Sequence, residues 1–120
     1  MAKFVEEGSF LPNVWALGHT RARKVTIKAG AGVLAEATVL GQVTADAKYL
    51  KSVKAASDGS EVPDAILAEP VDATAADVEA VAYIAGEFDQ DKLILGAGHT
   101  LGSIDAVFRL KSIWLVKPMG

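Results

Sequence analysis

The sequence predicts a mainly β fold (β-rich α+β), a small compact barrel-like domain with one short helix near residues 103–111. β-branched and aromatic residues occur in short runs, which is typical of strands. Turn-forming Gly, Asp and Pro separate these runs at intervals of roughly eight to twelve residues, as in small barrels and sandwiches. A chain of 120 residues corresponds to a single domain.

Most of the strands are predicted directly from these runs. Residues 33–44 contain Gly41, which predicts an extended segment with a bend rather than a helix. The strands are predicted at residues 23–27, 33–44, 49–53, 65–68 and 113–116.

Residues 74–88 fit two structures. Thr74 and Asp77 imitate a helix-capping box, whereas Val78, Ala80 and Ala82 alternate with larger or charged residues as in a strand. We interpret this segment as a strand.

The helix is predicted at residues 103–111. Ser103 can serve as the N-cap, and Ile104, Val107 and Phe108 share one face at the i, i+3, i+4 spacing.

Composition excludes several classes of protein. The chain is 51% hydrophobic and 22% charged, which is too apolar for disorder and too interrupted for a membrane span. A net charge of -3 argues against nucleic-acid binding, and the basic run at residues 19–24 is interpreted as a solvated strand entry. The absence of cysteine excludes disulfides, thiol nucleophiles and cysteine-ligated zinc. The N-terminus lacks the features of a signal peptide.

Residues 1–23 have no regular periodicity and are interpreted as an extended N-terminal arm, followed by a single domain at residues 24–120. The apolar side chains of this arm need a surface to pack on, either on their own domain or on a neighbouring chain. The candidate contact residues are Phe4, Phe10, Leu11, Val14 and Trp15.

The acidic stretch at residues 55–69, AASDGSEVPDAILAE, raises the question of a metal or catalytic loop. The spacing of its acids does not match a calcium-binding loop, and the Asp58-Gly59 pair is a turn dipeptide. We therefore interpret it as a corner. The acids concerned are Asp58, Glu61, Asp64 and Glu69.

Two further motifs are assigned to structure rather than chemistry. His19 and His99 both occur in Gly-His-Thr, without a local carboxylate or second histidine at ligand spacing. Gly30, Gly32 and Ala35 fit a dinucleotide fingerprint, but the residues that follow do not predict the required helix. No catalytic, metal-binding or cofactor-binding residue is predicted, and no cofactor or small-molecule substrate is expected.

Three stretches taken in order carry a family resemblance. They are GVLAEATVLGQVT with KYL, then SDGSEVPDAILAEPVDATAADVEA, then GEF followed by LILGAGHT. Over residues 24–116 this order resembles the head decoration proteins of lambda-like tailed bacteriophages.

The resemblance implies a β-tulip-type, non-enzymatic virion protein that binds the major capsid protein as a homotrimer. It implies a location on the outer surface of the head, at local threefold positions of the expanded shell, which the protein stabilises after synthesis in the host cytoplasm. It also implies that the arm pairs with a capsid strand while its apolar residues fill hollows, so that deletion of residues 1–22 leaves a folded trimer with little capsid affinity. No nucleic acid or membrane partner is implied.

Two alternatives remain. One is a small β-barrel enzyme or ligand-binding module that uses the histidines and the acids of the corner. The other is a different structural component of a virion, such as a tail or fibre protein.

Overall fold

The computed structural model describes residues 15–117 of the chain. Nearly half of these residues lie in strands and only one α-helix is present among them, so the mainly β fold class predicted from the sequence is confirmed. The strands are β1 (Ala16–Ile27), β2 (Gly32–Leu34), β3 (Val39–Gln42), β4 (Tyr49–Lys51), β5 (Pro63–Leu67), β6 (Val71–Ala73), β7 (Val78–Asp89) and β8 (Ile113–Val116); a 3-10 turn (Gln90–Lys92) and helix α1 (Leu101–Arg109) lie between β7 and β8.

Five of the strands close into a ring in the order β1-β4-β3-β5-β7, because β7 also pairs with β1. The β1–β7 ladder is antiparallel and extends from Ala16 opposite Phe88 to Ile27 opposite Val78. β8 adds in parallel to the other edge of β7, and β2 and β6 form a separate two-stranded sheet. The ring agrees with the barrel-like fold expected from the sequence.

Two hydrophobic clusters lie on opposite faces of the ring strands, as the alternation of side chains along a strand requires. Leu40 and Leu67 belong to the inner cluster, to which all five ring strands contribute. Their neighbours Val39 and Ile66 belong to an outer cluster that also includes the buried face of α1. Small side chains fill much of the narrow interior, among them Ala65, Ala73, Ala80 and Ala82.

Several strands differ from the prediction. β4 ends at Lys51 rather than at residue 53, β5 spans Pro63–Leu67 rather than residues 65–68, and β6 is not predicted from the sequence. β1 begins at Ala16 rather than at residue 23, so residues 16–23 of the predicted arm are paired with β7. Residues 33–44 form two strands with different partners rather than one bent segment.

The strand interpretation of residues 74–88 is confirmed over Val78–Asp89. Thr74 and Asp77 do not cap a helix. The Thr74 hydroxyl donates to Asp72, while Asp77 accepts from the backbone N–H of Ala29.

The predicted helix begins two residues early, at Leu101, and its N-cap is Thr100 rather than Ser103. Ser103 is instead the third helical residue. Its N–H donates to the Thr100 hydroxyl, and its own hydroxyl accepts from the Thr100 N–H. Within residues 15–117 no helix is long and apolar enough to cross a membrane.

Candidate functional site

The first two acids of the corner at residues 57–64 close the turn itself. Asp58 Oδ1 accepts from both the N–H (3.0 Å) and the hydroxyl (2.6 Å) of Ser60. These bonds hold the pKa of the Asp58 carboxyl below its ordinary value. Glu61 Oε1 accepts from the N–H of Gly59, at 2.8 Å. Both carboxylates therefore stabilise the local backbone.

Asp64 and Glu69 connect elements that are distant in sequence. Asp64 accepts from the hydroxyl of Tyr49 (3.0 Å) and forms an ion pair with Lys111 (2.8 Å). The pKa of Tyr49 is raised to about 12, mainly because the phenol is buried and also because it lies close to the Asp64 carboxylate. Glu69 accepts from the N–H of Val81, at 2.8 Å. Like the acids of the turn, these two have structural partners.

His99 joins three parts of the chain. Its Nε2 lies 2.9 Å from the carbonyl oxygen of Glu61 and 3.2 Å from the hydroxyl of Ser52, and its Nδ1 lies 3.1 Å from the hydroxyl of Ser103. Since a carbonyl only accepts, the neutral ring that makes this bond carries its proton on Nε2. The turn before α1 is thereby fastened to the acidic corner.

His19 and the glycine-rich motif after β1 are the remaining sequence motifs to be located. His19 is exposed on β1 with a φ of 52°. Gly30, in the turn after β1, and Gly32, the first residue of β2, both have positive φ, and the chain continues as a strand rather than a helix. Within residues 15–117 no three His, Asp or Glu side chains are grouped so that they could hold a metal ion.

Trp15, one of the candidate contact residues of the arm, is buried in its own domain. It packs against Tyr83 (ring centroids 5.5 Å apart) and Phe88 (6.0 Å), and its Nε1 donates to Glu36 at 3.0 Å. An indole offers a large apolar area with one donor, so a core site with an acceptor satisfies it. No pattern in the sequence indicates Glu36 as that acceptor. The other predicted contacts lie outside the described residues: Phe4, Phe10, Leu11 and Val14.

The described surface includes a small depression and several exposed apolar side chains. The depression, of about 250 Å³, lies at the start of α1. Its wall includes Asp105, which is paired with Arg109. The large exposed apolar residues are Leu17, Val33, Val62, Ile94, Leu110 and Trp114. Singly exposed apolar side chains are common on folded domains, so these residues do not by themselves indicate a site.

β1 provides the most unusual surface. Residues 19–24 are all exposed although they lie inside a paired strand. In a strand over a core, every second side chain is normally buried. Both faces of this part of β1 are therefore open to solvent.

A comparison with protein families supplies the decisive observation. The family model of bacteriophage lambda head decoration protein D matches residues 13–110, a span that includes the ring of strands and α1. The chain belongs to this head decoration family. A comparison with curated proteins finds no match.

Membership of the family gives the structural features a context. Head decoration proteins are structural components of the phage head, so this protein is a structural virion protein that associates with the capsid. The acids and histidines that suggested chemistry instead stabilise a turn, connect distant parts of the chain or, in the case of His19, lie exposed on a strand. The tail or fibre alternative does not agree with a head decoration family.

Proposed function

We propose that the protein acts as a homotrimer which binds the major capsid protein at local threefold positions on the outside of the expanded head and stabilises the shell. The observation that carries this proposal is the family match over residues 13–110. The protein acts by binding and not by catalysis.

Threefold binding explains how modest contacts give durable attachment. After one subunit of a trimer docks, the other two are held near their own sites at high effective concentration. The combined affinity then exceeds that of any single contact by orders of magnitude. A protein that binds the expanded shell more tightly than the unexpanded one also stabilises the expanded state by linkage.

The segment before Trp15 supplies part of the capsid contact in this proposal. Trp15 anchors that segment, since its ring is buried and its carbonyl oxygen accepts from the N–H of Asp89 at 2.8 Å. Phe4 and Phe10 are aromatic side chains of the type that dominates binding interfaces. An extended backbone can also add as a strand to a capsid sheet.

The first experiment measures mass and binding. Light scattering of the purified protein is expected to give three times the chain mass of 12.5 kDa. Purified, expanded heads that lack decoration should bind the protein and become more resistant to heat and to loss of packaged DNA. A monomer that decorates heads as well would contradict the trimer, and an absence of binding would contradict the function.

The second experiment removes residues 1–13. Because Trp15 is buried and β1 begins at Ala16, this deletion keeps every residue of the described core, whereas deletion of residues 1–22 would remove the indole and more than half of a paired strand. We expect an unchanged melting temperature and mass, with head binding weaker by about a hundredfold or more.

The matched control keeps the length of the arm and removes its aromatic rings. Phe4→Ser and Phe10→Ser together should lose much of the binding that the deletion loses. Full binding by the truncated protein would exclude a role of the arm.

A further inference from the structure

The outer edge of β1 lacks a strand partner over most of its length. One edge of β1 pairs with β7, and among residues 15–117 the other edge meets β4 only at Ile27. The exposed residues 19–24 lie on this free edge. Free edges of this length are sites where another strand can add.

The charges on this edge restrict which strand can add. Arg21, Arg23 and Lys24 are exposed, and β1 contains no acid. Within residues 15–117, Arg21 and Arg23 form no ion pair, and Lys24 is 3.8 Å from Glu79. Cations on an edge discourage pairing with an identical edge, because like charges would then face each other. A strand with acidic side chains could add to this edge without that repulsion.

β2 offers a second free edge, in an acidic neighbourhood. Within the described chain, its strand partner is β6 alone. Val33, at the centre of β2, is 74% exposed, and it lies opposite Asp72 of β6. Residues 69–79, which include β6, contain four acids and no Lys or Arg. Asp77 is paired with Lys48 and Glu79 lies 3.8 Å from Lys24, so the acids available to a neighbouring copy are Glu69 and Asp72. Glu69 and Asp72 are both exposed.

These two edges differ in position and in charge. They can therefore form the contact between two different surfaces that a ring of three copies needs. A contact between two different surfaces is heterologous, and it closes into a ring if the rotation is correct. Repulsion between two basic edges disfavours the symmetric dimer. The basic edge of β1 is therefore better suited to pairing with an unlike edge.

We propose that the basic edge of β1 in one copy docks against the β2 edge of the next copy, with Arg21 and Arg23 facing the acids of residues 69–79. This interface rests on the proposed trimer and assigns it a surface. Val33 becomes covered in the assembly, and the barrels of the three copies meet through exposed strands.

The experiment reverses charge on the β1 edge. Because both arginines are exposed, Arg21→Glu with Arg23→Glu should fold, which far-UV circular dichroism checks. Sedimentation should show self-association weaker by at least about a hundredfold. Lys54→Glu with Lys92→Glu, at two exposed lysines, is the control with the same net charge and should stay trimeric.

A compensating variant tests the specificity of the contact. Glu69→Lys with Asp72→Lys should also weaken association. All four substitutions in one chain restore opposite charges across every interface of the ring, and should recover trimer. A failure to recover, in a variant that folds, would overturn the proposed pairing of these two edges.

Hydrogen exchange of the wild type gives a test without substitutions. Amides of residues 19–26 and 32–36 should exchange more slowly in the trimer than at dilutions where it dissociates. Equal exchange in both states would overturn the interface.

The outcomes separate this interface from the proposed function. If the wild type is trimeric and binds heads but Arg21→Glu with Arg23→Glu leaves the trimer intact, the interface is wrong and the function stands. If that variant remains trimeric and loses head binding, the edge docks on the capsid and this interface is again wrong. If the wild type is monomeric, the trimer itself fails.

Discussion

A Cβ atom added to Gly41 would lie 1.9 Å from the carbonyl oxygen of Ser60 and 2.6 Å from its carbonyl carbon. Real Cβ atoms do not approach a backbone this closely, so the corner at residues 57–64 and β3 would have to separate. The sequence predicts a bend at Gly41, but it contains no sign of this long-range contact. The glycine is required for packing rather than for its dihedral freedom.

Gly41→Ala is therefore expected to lower the free energy of unfolding by about 3 kcal/mol or more. Urea denaturation measures the change. The matched control is Gly102→Ala in α1, where the nearest atom to the new Cβ is 3.8 Å away and the helix gains about 0.5 to 1 kcal/mol. Equal effects at the two sites would contradict this account.

Ionisation of the Tyr49 phenol makes the free energy of unfolding depend on pH in the alkaline range. Its pKa is raised from 10.0 to about 12 in the fold, so its contribution is complete below pH 10 and is lost as the pH rises toward 12. At pH 8 the wild type should be more stable than Tyr49→Phe by about 1 kcal/mol, because its hydroxyl donates to Asp64.

This advantage should shrink between pH 10 and pH 12, because ionisation of the phenol then favours the unfolded chain. Denaturation of both proteins across that range measures it. An unchanged difference would show that the phenol does not control alkaline stability.

At the scale of elements, the sequence predicts a strand well when the strand is a continuous run of apolar residues. β8, with four apolar residues in succession, is predicted with correct limits. The start of β1 is not, because residues 19–24 are exposed on both faces and lack the alternation that identifies a strand. The helix boundary moves by two residues because Thr100 and Ser103 can both cap, and only the structure shows which one does.

The capping box of α1 gives a prediction at this scale. Thr100→Ala removes the hydroxyl that accepts from Ser103, and should cost about 1 kcal/mol of unfolding free energy. The control is Ser57→Ala, an exposed hydroxyl in the corner outside the helix, with a change below about 0.5 kcal/mol. Thermal denaturation of both variants measures the two losses of stability. Equal losses would show that the cap contributes nothing specific.

Across the whole molecule, the inner and outer clusters share the same strands. Leu40 and Leu67 face the inner cluster, while Val39 and Ile66, which precede them in β3 and β5, face the outer one. Loss of packing on one side therefore disturbs the backbone that supports the other. We expect the domain to unfold as one cooperative unit.

Ile27→Ala tests this coupling, since Ile27 is fully buried in the inner cluster and Trp15 reports on the outer one. In a Trp114→Phe background, Trp15 is the sole tryptophan. The substitution should lower stability by about 3 kcal/mol, with coincident transitions in tryptophan fluorescence and far-UV circular dichroism. Separate transitions would show that the clusters unfold independently.

The candidate surfaces were less predictable than the fold. Asp64 and His99 draw attention in the sequence because their side chains can do chemistry, yet their partners are set by tertiary contacts. The free edges of β1 and β2 leave no sequence signal, since exposure of an edge depends on which strands fail to pair. From the sequence, the arm residues can be identified only as apolar side chains in an irregular segment. Trp15 differs from the others because it is buried in the core.

The long β1–β7 ladder also has a mechanical consequence. The chain enters β1 at Ala16, beside Phe88, and the ladder continues to Ile27 opposite Val78. Tension applied to the N-terminal segment along the strand axis loads these hydrogen bonds together in shear, whereas tension across the axis would peel them one by one. If the segment is held by a shell under internal pressure, the hydrogen bonds of the ladder share the load. Many weak bonds must then break at the same time before β1 separates from β7.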